Sequence, residues 1–163
     1  MNVKVVSVSD MILDVGCGVN PKGDINCDLG IYSISEHGIK RKDGLFIDPK
    51  KIKNFVRCDA HYLPFSDNSF ELVYSSHLIE HLHNPIQFIR ECIRVSKNNI
   101  LITCPHRCNF KARRFGHKHF FNKAWFTTAL RTMFYTIRVI NHPLLWFLPS
   151  EIEVSIVKTS ETV

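Results

Sequence analysis

The chain has 163 residues, 45% of them hydrophobic and 22% charged, which suits one domain over residues 1–163 with a real core and leaves no room for two. Its longest apolar runs, 100–104 and 143–149, fall far short of the ~20 residues a membrane span needs, and residues 1–10 carry no long apolar stretch. A transmembrane segment and a secretory leader are therefore not expected, a cytoplasmic protein is, and the net charge of +6 favours anionic partners.

Residues 11–15 form an apolar run that ends in Gly16-Cys17-Gly18, the pattern of a buried strand entering a tight turn. A second strand is expected over 24–28. Residues 30–54 are polar and lysine-rich, with Gly38, Gly44 and Pro49, and read as a variable loop with one short helix at most. Strands follow over 55–58, ending at Asp59, and over 70–75. Asn84 can cap a helix whose first turn holds Pro85 and whose Ile86, Ile89 and Ile93 share one face as far as Lys97. Residues 99–104 form a fully buried strand closed by Pro105. A helix over 123–133 and strands over 135–140 and 152–157 complete the chain. Strands alternating with helices predict a parallel α/β sheet. Asp28 follows Asp14 by only 14 positions, so Asn20-Pro-Lys-Gly23 must be a very short link where a parallel connection usually takes a dozen residues or more.

Six cysteines, with no CxxC pair, read as reduced thiols rather than a disulfide framework. Cys104 and Cys108 lack a second cysteine pair, so no structural zinc is assigned. Residues 106–123 carry Arg107, Lys111, Arg113, Arg114, Lys118 and Lys123, with His106, His117 and His119 and no acid. Phe110, Phe115, Phe120 and Phe121 interleave with them. Such a segment suits either a phosphate-bearing partner with stacked rings or a basic solvated loop whose phenylalanines plug the core.

Ligands of open α/β sheets bind at the carboxyl ends of the strands. Those ends carry Asp14-Val-Gly16-Cys17-Gly18, then Asp28, then Asp59-Ala60, then Ser75-Ser76. Glycines after the first strand admit a ligand to the backbone, an acid after the second can grip ribose hydroxyls, and one after the third can accept from an adenine amino group. No GxxxxGK[ST] and no full GxGxxG is present, so the pattern is a nucleoside site without a phosphate clamp.

Ile12-Leu-Asp-Val-Gly-Cys-Gly18, Asp59-Ala-His-Tyr-Leu-Pro-Phe65 and Phe70-Glu-Leu-Val-Tyr-Ser-Ser-His-Leu-Ile-Glu-His-Leu82 resemble the class I S-adenosylmethionine-dependent methyltransferases, most closely the type 11 branch. The resemblance spans about residues 11–105. It implies a Rossmann-like, doubly wound sheet of about seven strands in three layers, the last strand antiparallel. It implies S-adenosylmethionine as cofactor, with Asp14, Gly16, Cys17 and Gly18 forming the turn beneath its methionine part. Asp28 would bind the ribose hydroxyls, Leu29 would lie against the adenine, Asp59 and the Ala60 amide would meet the adenine edge, and Ser75 would lie beside the methionine moiety.

The same resemblance implies transfer of a methyl group to an O, N or C acceptor by in-line displacement. Alignment is the main task there, with a base needed only for a hydroxyl or a protonated amine. His81 and His77 follow the fourth strand and are the candidate bases. Glu80-His81 with His117 and His119 suits a divalent metal or, equally, a basic loop, and no metal is assigned. The acceptor stays unidentified: an anionic one (a phosphorylated small molecule, a lipid or RNA) is one reading, and a quinone-like ring or a protein is left open beside it. With little chain before the first strand, the site is expected to be open, or covered by a second copy or a partner subunit. The rival reading is a noncatalytic scaffold of the same fold.

Overall fold

The computed structural model describes residues 11–29, 49–109, 117–141 and 149–158. The short apolar runs of the first half form strands β1 (Ile12–Val15), β2 (Ile25–Asp28), β3 (Phe55–Arg57) and β4 (Phe70–Ser76). Helix α1 (Pro85–Val95) leads into β5 (Ser96–Pro105), and α2 (Lys123–Ala129) precedes β6 (Phe134–Asn141) and β7 (Pro149–Val157). All seven strands join one sheet in the order β3-β2-β1-β4-β5-β7-β6. Pairs from β3 to β5 are parallel, and β7 lies antiparallel between β5 and β6. The Rossmann-like sheet with an antiparallel last strand is thus present, and its strand order reverses between β1 and β4.

The register lines Ile25, Leu13, Val73, Ile100, Ile156 and Tyr135 up in one row across six strands. Phe88, Cys92 and Val95 of α1 and Phe126 of α2 pack into the same core. A ring such as Phe88, fully buried, contributes about 1.5–3 kcal/mol. The buried stripe of α1 is Phe88, Ile89, Cys92 and Val95, while Ile86 is 37% exposed, so the face expected from Ile86, Ile89 and Ile93 is rotated. The Asn84 cap is present, its side chain accepting from the Gln87 amide at 3.1 Å.

Both helices stop sooner than periodicity suggests. Ser96 leaves α1 to pair with Phe70, its hydroxyl donating to the Asn99 carbonyl at 2.9 Å. After α2 the Met133 amide bonds back to the Leu130 carbonyl at 2.9 Å, a tight turn that drops the chain into β6. Of the loop expected over 30–54, residues 30–48 lie outside the described residues, and Pro49–Lys51 forms a 3-10 turn. A second helical layer is not among the described residues, nor is any helix long and apolar enough to cross a membrane. None of the six cysteines forms a disulfide.

The link between β1 and β2 contains no helix. It is laid back along β1 instead. The Asp24 amide donates to the Ile12 carbonyl at 2.9 Å, and the Ile12 amide to the Asp24 carboxylate at 3.0 Å. Buried Asn26 accepts from the Gly23 amide and donates to the Gly23 and Lys53 carbonyls, each at 2.9 Å. A Cβ on Gly23 would stand 2.4 Å from the Ile25 carbonyl oxygen, 2.7 Å from the Asp14 amide and 2.9 Å from the Ile12 carbonyl oxygen. Those are backbone atoms fixed in the sheet, so only glycine fits.

Gly23→Ala is accordingly expected to destabilise the fold by at least about 2 kcal/mol, read as a fall in the urea unfolding midpoint. Gly18→Ala, where the added Cβ meets nothing within 4 Å but φ is +54°, is expected to cost about 1–2 kcal/mol. Equal, small effects at both positions would show that the link has room to relax.

Candidate functional site

The strand-order reversal places the carboxyl ends of β1, β2, β3 and β4 side by side, where α/β folds hold ligands. Gly16 turns the chain there at φ +77°, and its amide donates to the Cys27 carbonyl at 2.8 Å. Leu78 presses on this turn so closely that a Cβ at Gly16 would lie 2.8 Å from the leucine Cδ2. Leu78 is delivered by the 3-10 turn Ile79–His81 that follows β4.

A cavity of about 320 Å³ opens at these ends, lined by Gly16, Asp28, Leu29, Asp59, Ala60 and His81 among others. Six of the residues singled out in the sequence therefore share one pocket. Asp28 ends β2 and accepts from the Gly18 amide at 3.1 Å. Burial pushes the Asp59 carboxyl up, but the His61 amide, the His61 ring and His83 outweigh it and hold the group below its ordinary value.

The other singled-out residues stand behind or beside the cavity. Asp14 is buried and accepts from the Lys22 amide at 2.8 Å, fastening the short link, and burial raises its carboxyl above the ordinary value. The Cys17 thiol is buried and pushed up to about 12 by desolvation and then by Asp28 and Asp14, which leaves it no nucleophilic character at neutral pH. The buried Ser75 hydroxyl donates to the Val15 carbonyl at 2.8 Å, tying β4 to β1. Gly18 supplies a positive φ and the amide that Asp28 holds. His77 does not line the cavity; its ring faces Glu80 at 3.5 Å and Glu151 at 3.4 Å, and the Glu80 contact, followed by Glu151, raises its pKa.

Lys118 of the basic stretch also lines the cavity, as do His61 and His83, to which the sequence alone gave no role. His61 Nδ1 lies 2.6 Å from Asp59 Oδ1, and the Asn84 amide donates to His61 Nε2 at 3.2 Å. One neutral tautomer serves both contacts, donating to Asp59 and accepting from Asn84. Lys118 Nζ donates to His83 Nε2 at 2.8 Å. Of the interleaved phenylalanines, Phe121 is a core residue and Phe120 is 48% exposed. Lys111, Arg113, Arg114, Phe110 and Phe115 lie outside the described residues.

The chain that carries Asp59, Ala60 and His61 has few ladder bonds of its own, and α1 holds it. The Arg94 guanidinium donates to the Phe65 carbonyl at 2.7 Å, the Leu63 carbonyl at 2.8 Å and Asp67 at 2.8 Å, and pairs twice with Glu91. Glu91 in turn accepts from the Leu63 amide at 2.7 Å. These hydrogen bonds with Arg94, then the Leu63 amide, hold the Glu91 carboxyl below its ordinary range despite burial.

Beside His81, buried Glu80 and half-buried His117 complete a second cluster. The His81 and His117 rings meet edge to face at 4.7 Å between centroids. The amides of Lys118 and His119 both donate to the Glu80 carbonyl, at 2.9 and 3.2 Å, which is what brings His117 there.

A family model described as a methyltransferase domain matches residues 13–103, from β1 into β5. Ajmaline N-methyltransferase of Rauvolfia serpentina is 37% identical over 108 residues, covering 59% of this chain and 36% of that protein. A solved S-adenosylmethionine-dependent methyltransferase of Mesorhizobium loti is similar in fold with a TM-score of 0.63 at 14% identity, covering 93% of this chain and 92% of that one. Phosphoethanolamine N-methyltransferase 2 of Haemonchus contortus, solved with S-adenosyl-L-methionine, gives a TM-score of 0.65 at 14% identity over 92% of this chain and 49% of that one. The chain spans 36–41% of the length of the curated relatives it matches.

Because the Glu91 carboxyl is held low in the folded chain, its stabilising contribution is present above the unfolded value near 4.5 and is lost as pH falls through the folded value. Glu91→Gln is expected to lower stability at pH 7, and the gap to wild type to close on acidification below about 4.5 in urea unfolding. A gap that is the same at both ends of that range would show that the carboxylate charge is not what holds the clamp.

Proposed function

The chain belongs to the methyltransferase-domain family and has its class I fold, and on that premise we propose that it binds S-adenosylmethionine in this cavity and passes the methyl group to an acceptor. One observation carries the reading: a glycine turn from β1, Asp28 from β2 and Asp59-Ala60 after β3 converge on one pocket. The residues suit the cofactor. The volume of about 320 Å³ lies at the low end of the ~300–1,000 Å³ usual for small-molecule sites. Leu29 and Leu78 supply apolar wall, and the Gly16 turn, on which Leu78 packs, lines the cavity where the methionine part would run.

Asp28 takes the ribose hydroxyls, Asp59 the adenine amino group, the Ala60 amide a ring nitrogen, and Leu29 the face of the base. Asp14, Cys17, Gly18 and Ser75 hold the turn from behind. When bound, the sulfonium cofactor supplies a methyl group already activated for displacement. What remains for the chain is to align the acceptor and keep water out. His81, on the cavity wall, accepts the acceptor's proton where the acceptor is a hydroxyl or a protonated amine. His77, turned toward Glu80 and Glu151, is left outside that task. Lys118 with its partner His83 gives the acceptor side a positive rim, which favours an acceptor carrying phosphate or carboxylate.

Asp28→Ala is expected to weaken binding of S-adenosylmethionine or its demethylated product at least tenfold by calorimetry, from loss of a charge-assisted hydrogen bond of ~1.5–3 kcal/mol. Asp59→Ala should cost less, since the Ala60 amide and Leu29 remain. Unchanged affinity in a folded Asp28→Ala chain would reject the ribose assignment. On the acceptor side, Lys118→Glu is expected to lower methylation of a phosphate-bearing acceptor and flatten its salt dependence. Turnover indifferent to both the substitution and added salt would remove phosphate from the acceptor.

A further inference from the structure

Glu80 is in a position that methyl transfer alone does not account for. Its side chain is 1% exposed, yet among the described residues neither carboxylate oxygen accepts a hydrogen bond. A carboxylate cannot stay ionised out of water without a charged or hydrogen-bonding partner. The nearest such group, His77 Nδ1, lies 3.5 Å from Oε1, long for a hydrogen bond, and the other nitrogen of that ring faces Glu151 at 3.4 Å. Two further imidazoles, those of His81 and His117, stand near it. One donor atom each from Glu80, His81 and His117 lies within 4.8 Å of the other two.

The three residues come from two segments far apart in the chain, and the backbone fixes both. The 3-10 turn Ile79–His81 sets Glu80 and His81, and the Lys118 and His119 amides bonded to the Glu80 carbonyl set His117. We propose that Glu80, His81 and His117 hold a divalent first-row metal ion in the wall of the cavity. Two imidazoles and a carboxylate form the donor set of zinc and related borderline ions, with a further position left open. Ligand bonds of ~2.0–2.2 Å would draw the donors to roughly 3.3–3.5 Å apart, a change within reach of side-chain rotation. The buried carboxylate then gains a directly bound cation, where His77 Nδ1 stands 3.5 Å away.

His81 lines the cavity, so an ion held by it would sit at the cavity wall. The role of the ion, though not its existence, rests on the methyl-transfer reading. A Lewis acid there binds an oxygen or nitrogen of the acceptor and lowers its proton affinity. His81 then serves as a ligand and no longer as the proton acceptor.

The test uses the untagged chain, stripped with a chelator and titrated with Zn²⁺ and with Co²⁺. One equivalent should bind, with intense visible bands for Co²⁺ as expected of low-coordinate nitrogen and oxygen ligation. Glu80→Gln, His81→Ala and His117→Ala should each weaken binding at least tenfold, while His106→Ala, outside the cluster, should not. Glu80 is buried and its variant can fail to fold, so the half-buried and exposed histidines carry the decision. Absence of binding by wild type, or full affinity in both histidine variants, overturns the site. Calorimetry with the demethylated cofactor on the same samples separates the two readings: cofactor binding without metal binding rejects the ion alone, and metal binding without cofactor binding supports it while rejecting the methyl-transfer reading.

Discussion

The Arg94 guanidinium is the contact on which the pocket's geometry most depends. Strands β1 and β2 are fixed by the ladder, but Asp59, Ala60 and His61 lie past the end of β3, a strand of three residues. What holds that stretch is a side chain on α1 that donates to two of its carbonyls and one of its carboxylates, with Glu91 completing the clamp from the same helix. Arg94 is partly exposed, so its contact with Asp67 at the surface is worth little on its own. The carbonyl contacts matter more, because they turn the packing of α1 against the sheet into a position for the loop. His61 repeats the device at the other end of the helix, joining Asp59 to the amide of the cap residue.

The cavity is polarised. Its strand-end rim carries two carboxylates, Asp28 and Asp59, and the side formed by the later segments carries Lys118 and several imidazoles. In the proposed reaction a cationic sulfonium would meet an acceptor of opposite charge, and a field running from one rim to the other would orient both before any close contact forms. The Glu80 cluster, which includes His81 of the cavity wall, sits on that side.

Much of the sheet was legible in the sequence, because short apolar runs bounded by turn residues mark its strands and their polar ends fall where ligands bind. The residues at those ends could be named, and Gly16, Asp28, Leu29, Asp59, Ala60 and His81 do meet in one cavity. Sequence did not separate the lining from its supports: Asp14 and Ser75 are polar residues at strand ends too, but their partners are backbone groups of the neighbouring chain. The α1 face was misjudged because three isoleucines at helical spacing outweighed Phe88 and Cys92, whose burial is set by the sheet they meet. His61, the Glu91–Arg94 clamp and the Glu80 cluster are pairings across long stretches of chain, and no local pattern announces them.

The helix-free link between β1 and β2 also bears on how the site assembles. Only nine residues separate the two strands, and the entropy of closing a loop rises with its length by about 0.6 kcal/mol per doubling. The glycine turn and Asp28 are therefore joined by contacts local in sequence, of the kind that form quickly. Asp59 and His81 wait on pairings between distant segments and on the docking of α1. Chain entropy thus orders the assembly of the pocket: its Gly16–Asp28 end belongs to an early, self-contained unit, and its Asp59 and His81 ends arrive with the long-range topology.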